Sequence, residues 1–189
     1  MNKEIYLVVL SCLVLSCLAH ASEPLAAQSE SEPNATLNDL QRQEYARAEL
    51  NQRELMRLLA PIKSRVDLDV HLSKAGEIDS PLLRLSSAGR QGFIDSLTFN
   101  DRGLTGFRYS DLEAELSPSE IYAILSLFGA QHLARQMTGA RPASTADTLI
   151  LGQTVRSSFS KDPGDHAGYW CSSPHTCARK SNYICMSGC

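Results

Sequence analysis

The longest regular pattern of apolar and polar positions in the chain runs from Leu37 to Ala60. The stretch consists mostly of strong helix formers, has no internal glycine or proline, and is followed directly by Pro61. This composition predicts a long, rather polar helix that ends before the proline. The apolar side chains that can share a face along it are Tyr45, Ala48, Leu55, Leu58 and Leu59.

The segment Val66–Leu72 alternates strictly between apolar and polar residues. Its apolar side chains would fall on one side of an extended chain, with Asp67, Asp69 and His71 on the other. A period of two residues is typical of a half-buried strand, so the pattern predicts a β-strand here.

Shorter elements follow in the middle of the chain. The residues after Ser86 predict a short helix. The apolar runs Leu97–Phe99 and Leu104–Tyr109 flank a short loop that ends in Gly103, which predicts a β-hairpin. One further helical turn is expected at Asp111–Leu116.

The best-defined local signal is a capping box that begins at Ser117. Ser117 can cap a helix, Pro118 suits its first position, and Glu120 can reach back to the Ser117 amide. We expect one core helix from Pro118 to about Met137, with a bend at Gly129. Its apolar face consists of Ile121, Ile124, Leu125 and Phe128.

Helices dominate this pattern and strands are few, without the strand–helix alternation of a doubly wound sheet. Leu149–Leu151 predicts either a strand or a last core insertion. We therefore expect an α+β protein, with a mainly helical single domain at residues 37–160 that includes a small antiparallel sheet or hairpin. A disulfide-stapled C-terminal tail is expected at residues 161–189.

The N-terminal residues resemble a secretory signal. The run Ile5–Leu18 is almost wholly apolar, and Ala19–Ala21 has the small residues that a signal peptidase requires. We expect a signal peptide at residues 1–21, then a polar, disordered leader at residues 22–36. We therefore expect a secreted or periplasmic protein, or alternatively a lipoprotein anchored through Cys17.

Charge and hydropathy narrow the classes of partner. The net charge is −3, and no basic stripe runs along the chain, so we expect no nucleic acid partner. No second apolar run reaches membrane-spanning length, which predicts no transmembrane segment once the signal is removed.

Cysteines concentrate at the C-terminus. Cys12 and Cys17 lie in the signal, while the other four of the six lie in the last residues. Export predicts two disulfides, although spacing cannot select among three possible pairings. In the cytosol the same spacing, with His175 inside it, would instead suggest zinc. We expect neither a metal nor another cofactor. The paired cysteines are Cys171, Cys177, Cys185 and Cys189.

Catalytic signals are weak. Asp67, Asp69 and His71 on one strand face could bind a cation or act as acid and base. The outer face of any half-buried strand is polar, however, so the pattern alone does not identify an active site. The chain has no nucleophile elbow, no P-loop and no zinc-protease motif. An enzyme is therefore the less favoured interpretation.

The C-terminal tail is the richest stretch in side chains that recognition surfaces use. Aromatic and cationic residues flank its cysteines, and a stapled loop loses little entropy on binding. The alternative is that the aromatic residues pack onto the main domain. The candidate binding residues are Tyr169, Trp170, His175, Arg179, Lys180 and Tyr183.

Three functional hypotheses follow. The first is an exported binding or inhibitory protein that presents the stapled tail to another protein or to a cell-envelope component. The second is a precursor from which the cysteine-rich peptide is released. The third is a hydrolase-like enzyme that uses Asp67, Asp69 and His71.

Overall fold

The computed structural model of the protein describes residues 39–74, 79–152 and 164–189. They belong to one compact unit of the chain. The predicted signal peptide, the alternative lipid site at Cys17 and the polar leader lie outside the described residues. In the part that the structure describes, no helix is both long enough and apolar enough to cross a membrane.

The predicted long helix is present as α1 (Asp39–Leu59). It ends ahead of Pro61, in agreement with the sequence. No residue of α1 is buried, because the helix lies on the body of the protein through polar side chains. The leucines that it leaves at least half exposed are Leu40, Leu55, Leu58 and Leu59.

The alternating segment forms helix α2 (Arg65–Ser73), so the predicted strand is wrong. The Ser64 hydroxyl caps this helix by accepting a hydrogen bond from the Asp67 N–H at 3.1 Å. Leu68 is fully buried, whereas Val66 is 70 % exposed. Residues two apart lie on different sides of a helix, so the four alternating apolar residues do not all share a face.

The central elements agree with their predictions. A 3₁₀ helix (Pro81–Arg84) leads to α3 (Ser87–Ser96). The predicted hairpin consists of β1 (Thr98–Asn100) and β2 (Gly103–Arg108), which pair antiparallel. Gly103 opens β2 with a φ of +118°, a backbone conformation that other residues rarely adopt.

The capping box is confirmed. A short helix, α4 (Ser110–Glu115), matches the predicted helical turn and precedes α5 (Pro118–Ser126). The Ser117 N–H donates to Glu120 Oε2 at 2.9 Å, as the sequence predicts. The Ser117 amide thereby has a partner in the first turn of α5.

The predicted continuation of this helix to Met137 does not occur. α5 ends at Ser126, Gly129 adopts a φ of +70°, and a second 3₁₀ helix occupies Gln131–Gln136. A Cβ on Gly129 would lie 2.6 Å from the Arg57 Cα. Glycine thus reverses the chain here and lets α1 approach closely, so the expected bend is a break.

The Leu149–Leu151 run lies in a helix, α6 (Thr145–Gly152), and not in a strand. Ser144 precedes it and accepts a hydrogen bond from the Asp147 N–H at 3.2 Å. Asp147 Oδ1 accepts a second one from the Ser119 N–H at 2.7 Å. The buried Asp147 side chain therefore joins the first turns of α5 and α6.

The C-terminal residues complete a four-stranded sheet. They form β3 (His166–Ser173) and β4 (Thr176–Cys185), and the strand order is β1-β2-β4-β3. All neighbours are antiparallel, and Phe107 of β2 pairs with Ile184 of β4. The predicted α+β class is confirmed.

The core lies where this sheet meets the helices. Phe93 contacts Phe107 and Phe128 edge-on, with ring centroids 5.8 and 6.0 Å apart. Ile184 and Met186 belong to the same buried cluster. The C-terminal stretch thus supplies a central strand and core side chains.

Candidate recognition surface on the C-terminal hairpin

Two disulfides join the four C-terminal cysteines, as predicted. Cys171 is bonded to Cys189 and Cys177 to Cys185, with Cα atoms 5.6 and 5.9 Å apart. The spacing of the cysteines allows three pairings, and the structure selects this one. Both bonds lie within the C-terminal hairpin, which we define as β3 and β4, and the residues that follow it.

The tip of the C-terminal hairpin is tied to the end of the chain. His175, in the turn between the strands, has a φ of +63°. Its backbone N–H donates to the Cys189 carbonyl at 2.7 Å. The His175 residue is exposed, so this predicted binding residue lies at the tip and apart from the strand faces.

The hairpin also packs closely over β2 at Gly106. A Cβ at this position would lie 2.7 Å from the Ile184 carbonyl oxygen and 3.8 Å from the Cys171 nitrogen. Only a residue without a side chain fits there without movement of the backbone. Gly106 therefore sets how closely the hairpin approaches the sheet.

Three of the predicted binding residues form one surface, which we call the Trp170 face. Lys180 Nζ lies 4.6 Å from the Trp170 ring centroid and 4.0 Å from the Tyr183 ring centroid. Both distances are within the range of cation–π attraction. A groove of about 140 Å³ adjoins these side chains and is also lined by Asp95 and Thr98.

Two further predicted residues form a second surface, the Tyr169 face. Tyr169 pairs with Arg179 across the strands, and the guanidinium carbon lies 5.9 Å from the Tyr169 ring centroid. The His166 ring contacts the same tyrosine at 5.9 Å. Because adjacent strand residues point to opposite sides, this face and the Trp170 face lie on different sides of the hairpin.

Strand β3 is the edge of the sheet. Among the described residues its one neighbouring strand is β4, so the other side of β3 presents backbone groups that can pair. Edge strands are commonly protected by lysine or proline, and His166–Ser173 contains neither. The register with β4 is irregular between Ala167 and Tyr169, where Gly168 has a φ of +81° and β4 contains extra residues. Pairing is regular from Tyr169 to Cys171, and a second irregularity follows Cys171.

The structure does not bring Asp67, Asp69 and His71 together as an active site. Asp67 accepts hydrogen bonds at the start of α2 from the Lys63 N–H and the Ser64 hydroxyl, at 3.0 and 2.9 Å. Those bonds lower its pKa. His71 Nε2 lies 2.8 Å from the Ser80 hydroxyl, and burial lowers the histidine pKa.

A separate group of ionisable side chains, the charged cluster, was not predicted. Asp165 Oδ2 lies 2.9 Å from His132 Nε2 and 3.2 Å from Arg53 Nη1. Glu49 Oε1 accepts hydrogen bonds from Arg53 and Arg135 at 2.7 and 2.6 Å. The sequence separations reach 112 residues, so no local pattern could have grouped these five side chains.

The charged cluster holds its carboxylates ionised. Burial alone would raise the Glu49 pKa, but the hydrogen bonds from Arg135 and Arg53 outweigh it and hold that pKa at about 2. Burial likewise opposes ionisation of Asp165, and the bond from His132 keeps its pKa below the usual range. Asp165 Oδ1 also accepts the Ser187 N–H at 2.9 Å. The cluster therefore links both ends of the C-terminal hairpin to α1.

Three sulfurs come close enough together to resemble a metal site. The Sγ atoms of Cys177, Cys185 and Cys189 lie within 4.8 Å of one another. All three belong to disulfides, and metal coordination by cysteine requires thiolates. Zinc binding by this group would therefore require reduction first.

Comparisons of the chain with protein-family models, with curated proteins and with solved structures find no match.

Proposed function

We propose that the protein is an exported, non-catalytic binding or inhibitory protein that recognises its partner through the C-terminal hairpin. The observation that carries this proposal is that aromatic and cationic side chains occupy both faces of a disulfide-linked hairpin at the edge of the sheet. Export is supported by the apolar run before Ala21, and two disulfides are compatible with an oxidising compartment.

The mode of binding that fits this hairpin is the addition of a strand. An extended segment of the partner pairs with the open edge of β3 through backbone hydrogen bonds. Its alternate side chains then contact the Trp170 face and the Tyr169 face. The partner is accordingly another protein, or a cell-envelope component that carries such a segment.

We expect the aromatic residues to contribute most of the binding free energy. Trp170 and Tyr169 are half-buried in the free protein. They contact Lys180 and Arg179, respectively, so part of each ring is already packed before a partner arrives. Aromatic residues of this kind contribute about 2 kcal/mol or more at the centre of interfaces. The disulfides lower the entropy cost of ordering the hairpin, while His175, Arg179 and Lys180 supply peripheral polar contacts.

The other two hypotheses have less support. Release of the C-terminal peptide would break the pairing of β2 with β4 and remove Ile184 and Met186 from the core. An enzyme built on Asp67, Asp69 and His71 would need these residues to converge, yet the first caps its own helix and the last faces Ser80.

Random linear peptides displayed on phage and selected against the oxidised protein test this proposal. We expect selected peptides to bind Trp170→Ala and Tyr169→Ala at least about tenfold more weakly than wild type, a loss of about 1.4 kcal/mol. Lys180→Ala should have a smaller effect. Leu83→Ala, at a residue 48 % exposed in the first 3₁₀ helix, is the matched control.

Hydrogen exchange of the backbone amides identifies the strand edge that binds the peptide. Bound peptide should slow exchange of the β3 amides, and reduction of the disulfides should weaken binding. Equal affinity for wild type, Trp170→Ala and Tyr169→Ala would contradict the proposal, as would protection confined to another part of the protein.

A further inference from the structure

A second candidate binding site lies against α1 and shares no lining residue with the Trp170 face or the Tyr169 face. A cleft of about 400 Å³ is bounded by α1, α5, α6 and the 3₁₀ helix Gln131–Gln136. This volume is in the range of sites that hold small molecules. Five side chains with apolar surface contribute to its wall, namely Tyr45, Ala48, Met56, Tyr122 and Ile150.

The charges that line the cleft are mainly positive. Arg53, His132 and Arg135 line it together with one carboxylate, Glu49. Asp165, which faces His132 and Arg53, is 2 % exposed at its side chain and is not part of the lining. Two arginines and one carboxylate therefore line the cleft, and Asp165, 3.2 Å from Arg53, offsets the charge of that arginine. The carboxylate that Arg135 pairs with is Glu49.

Arg135 has side-chain donors that no described residue accepts. In residues 39–74, 79–152 and 164–189, Glu49 is the one acceptor that its side chain reaches, through Nη2 at 2.6 Å. A guanidinium has five N–H donors. The Arg135 side chain is only 14 % exposed and lines the cleft. Such a group matches a carboxylate well.

We propose that this cleft binds a small organic carboxylate, with the anionic group on Arg135 and an apolar body against Tyr122 and Met56. The Arg135 guanidinium suits a single carboxylate, and the aromatic and aliphatic walls suit an apolar body more than a sugar or a free inorganic ion. This inference is independent of the function proposed for the hairpin, because no residue is shared between the two sites.

Titration of the full oxidised chain with sodium phenylacetate, followed by ¹H–¹⁵N correlation spectra at neutral pH, tests the site. We expect saturable shifts of the amides in α1 and in Gln131–Gln136. Phenylacetamide has the same shape without the charge, and it should bind at least about tenfold more weakly. Acetate and inorganic phosphate, which lack the apolar body, should also bind more weakly.

Variants separate ligand binding from folding. Arg135→Gln should weaken phenylacetate binding about tenfold or more, and the exposed Arg141→Gln, which does not line the cleft, should leave it unchanged. Because Arg135 also holds Glu49, Tyr122→Ala provides a second test that leaves the charged cluster intact. It should weaken phenylacetate while acetate binding stays the same.

Several results would overturn the proposal. They are the absence of saturable shifts up to about 10 mM phenylacetate, shifts outside the cleft alone, and equal affinity for phenylacetamide. Unchanged affinity in folded Arg135→Gln or Tyr122→Ala protein would do the same. None of these results bears on peptide binding at β3. A failure of the cleft proposal can therefore be distinguished from a failure of the hairpin proposal.

Discussion

Replacement of Ile184 by alanine tests how much the C-terminal hairpin contributes to the stability of the whole protein. Ile184 is 1 % exposed and pairs with Phe107 at the centre of the sheet. If the hairpin lay on the surface of a domain that is stable without it, the protein would tolerate this change. The arrangement of the strands instead predicts a large loss of stability.

The size of the loss follows from the burial. Ile184→Ala removes three carbons, which at roughly 0.8 kcal/mol each gives about 2.4 kcal/mol of lost transfer free energy. The cavity that remains adds to this, and substitutions of this kind cost about 2–5 kcal/mol. We therefore expect a loss of about 3 kcal/mol, a substantial part of the 5–15 kcal/mol typical of a folded domain.

Equilibrium unfolding in urea, with the disulfides intact, measures the effect. With a slope of about 2 kcal/mol per molar urea, the midpoint should fall by about 1.5 M. Val70→Ala, at a position 48 % exposed in α2, should change stability by about 0.5 kcal/mol or less. If Ile184→Ala behaved like this control, the assignment of the hairpin to the core would be refuted.

Three further predictions concern packing and charge. Glu49→Gln should be less stable than wild type at neutral pH, and the difference should disappear in acid. The native Glu49 pKa is about 2 against an ordinary 4.5, so the carboxylate stabilises the fold fully above pH 4.5 and this stabilisation is lost as the pH falls toward 2. Urea unfolding across this range checks it, and a gap independent of pH would contradict it. Gly106→Ala should lower the melting temperature, because its Cβ would lie 2.7 Å from a backbone oxygen, whereas Gly152→Ala meets nothing within 4 Å and serves as the control. Ile124→Asp places an unpaired carboxylate at a fully buried position and should abolish cooperative unfolding; an unchanged melting curve would show that this face of α5 is wrongly assigned.

The elements that could be predicted are those whose signals are local. The capping box at Ser117 and the glycine-terminated hairpin of β1 and β2 are each specified by a few adjacent residues. The long helix ahead of Pro61 is specified by composition in the same way. In each case the backbone conformation follows from short-range hydrogen bonding and propensity, so tertiary contacts did not need to be known.

The predicted strand at Val66–Leu72 failed because its pattern is compatible with two periods. Leu68 and Leu72 are spaced by four, so they also fit one side of a helix. Ser64 at the N-cap position decides between the two, since its side chain pairs with the Asp67 amide. The capping residue was visible in the sequence, and it carried more information than the alternation of the residues that follow it.

The candidate site was only partly accessible to sequence reasoning. The aromatic and cationic residues could be identified, but their division between two faces depends on strand register, which no local signal fixes. Tyr169 and Trp170 are neighbours in the chain and yet point to opposite sides once β3 forms. The charged cluster was wholly hidden, because it joins α1 to Asp165 across most of the described chain.

The disulfides fix the outer part of the C-terminal hairpin. One joins the partly exposed Cys177 of the outer hairpin to the buried Cys185 at its base. The other joins the partly exposed Cys171 to the buried Cys189, whose carbonyl accepts a backbone N–H of the turn. The base needs no covalent link, since the core already holds Ile184 beside it. The outer half, with its exposed turn, has few buried contacts to fix its conformation. The covalent bonds therefore transmit the rigidity of the core to the part of the hairpin that carries the candidate recognition residues.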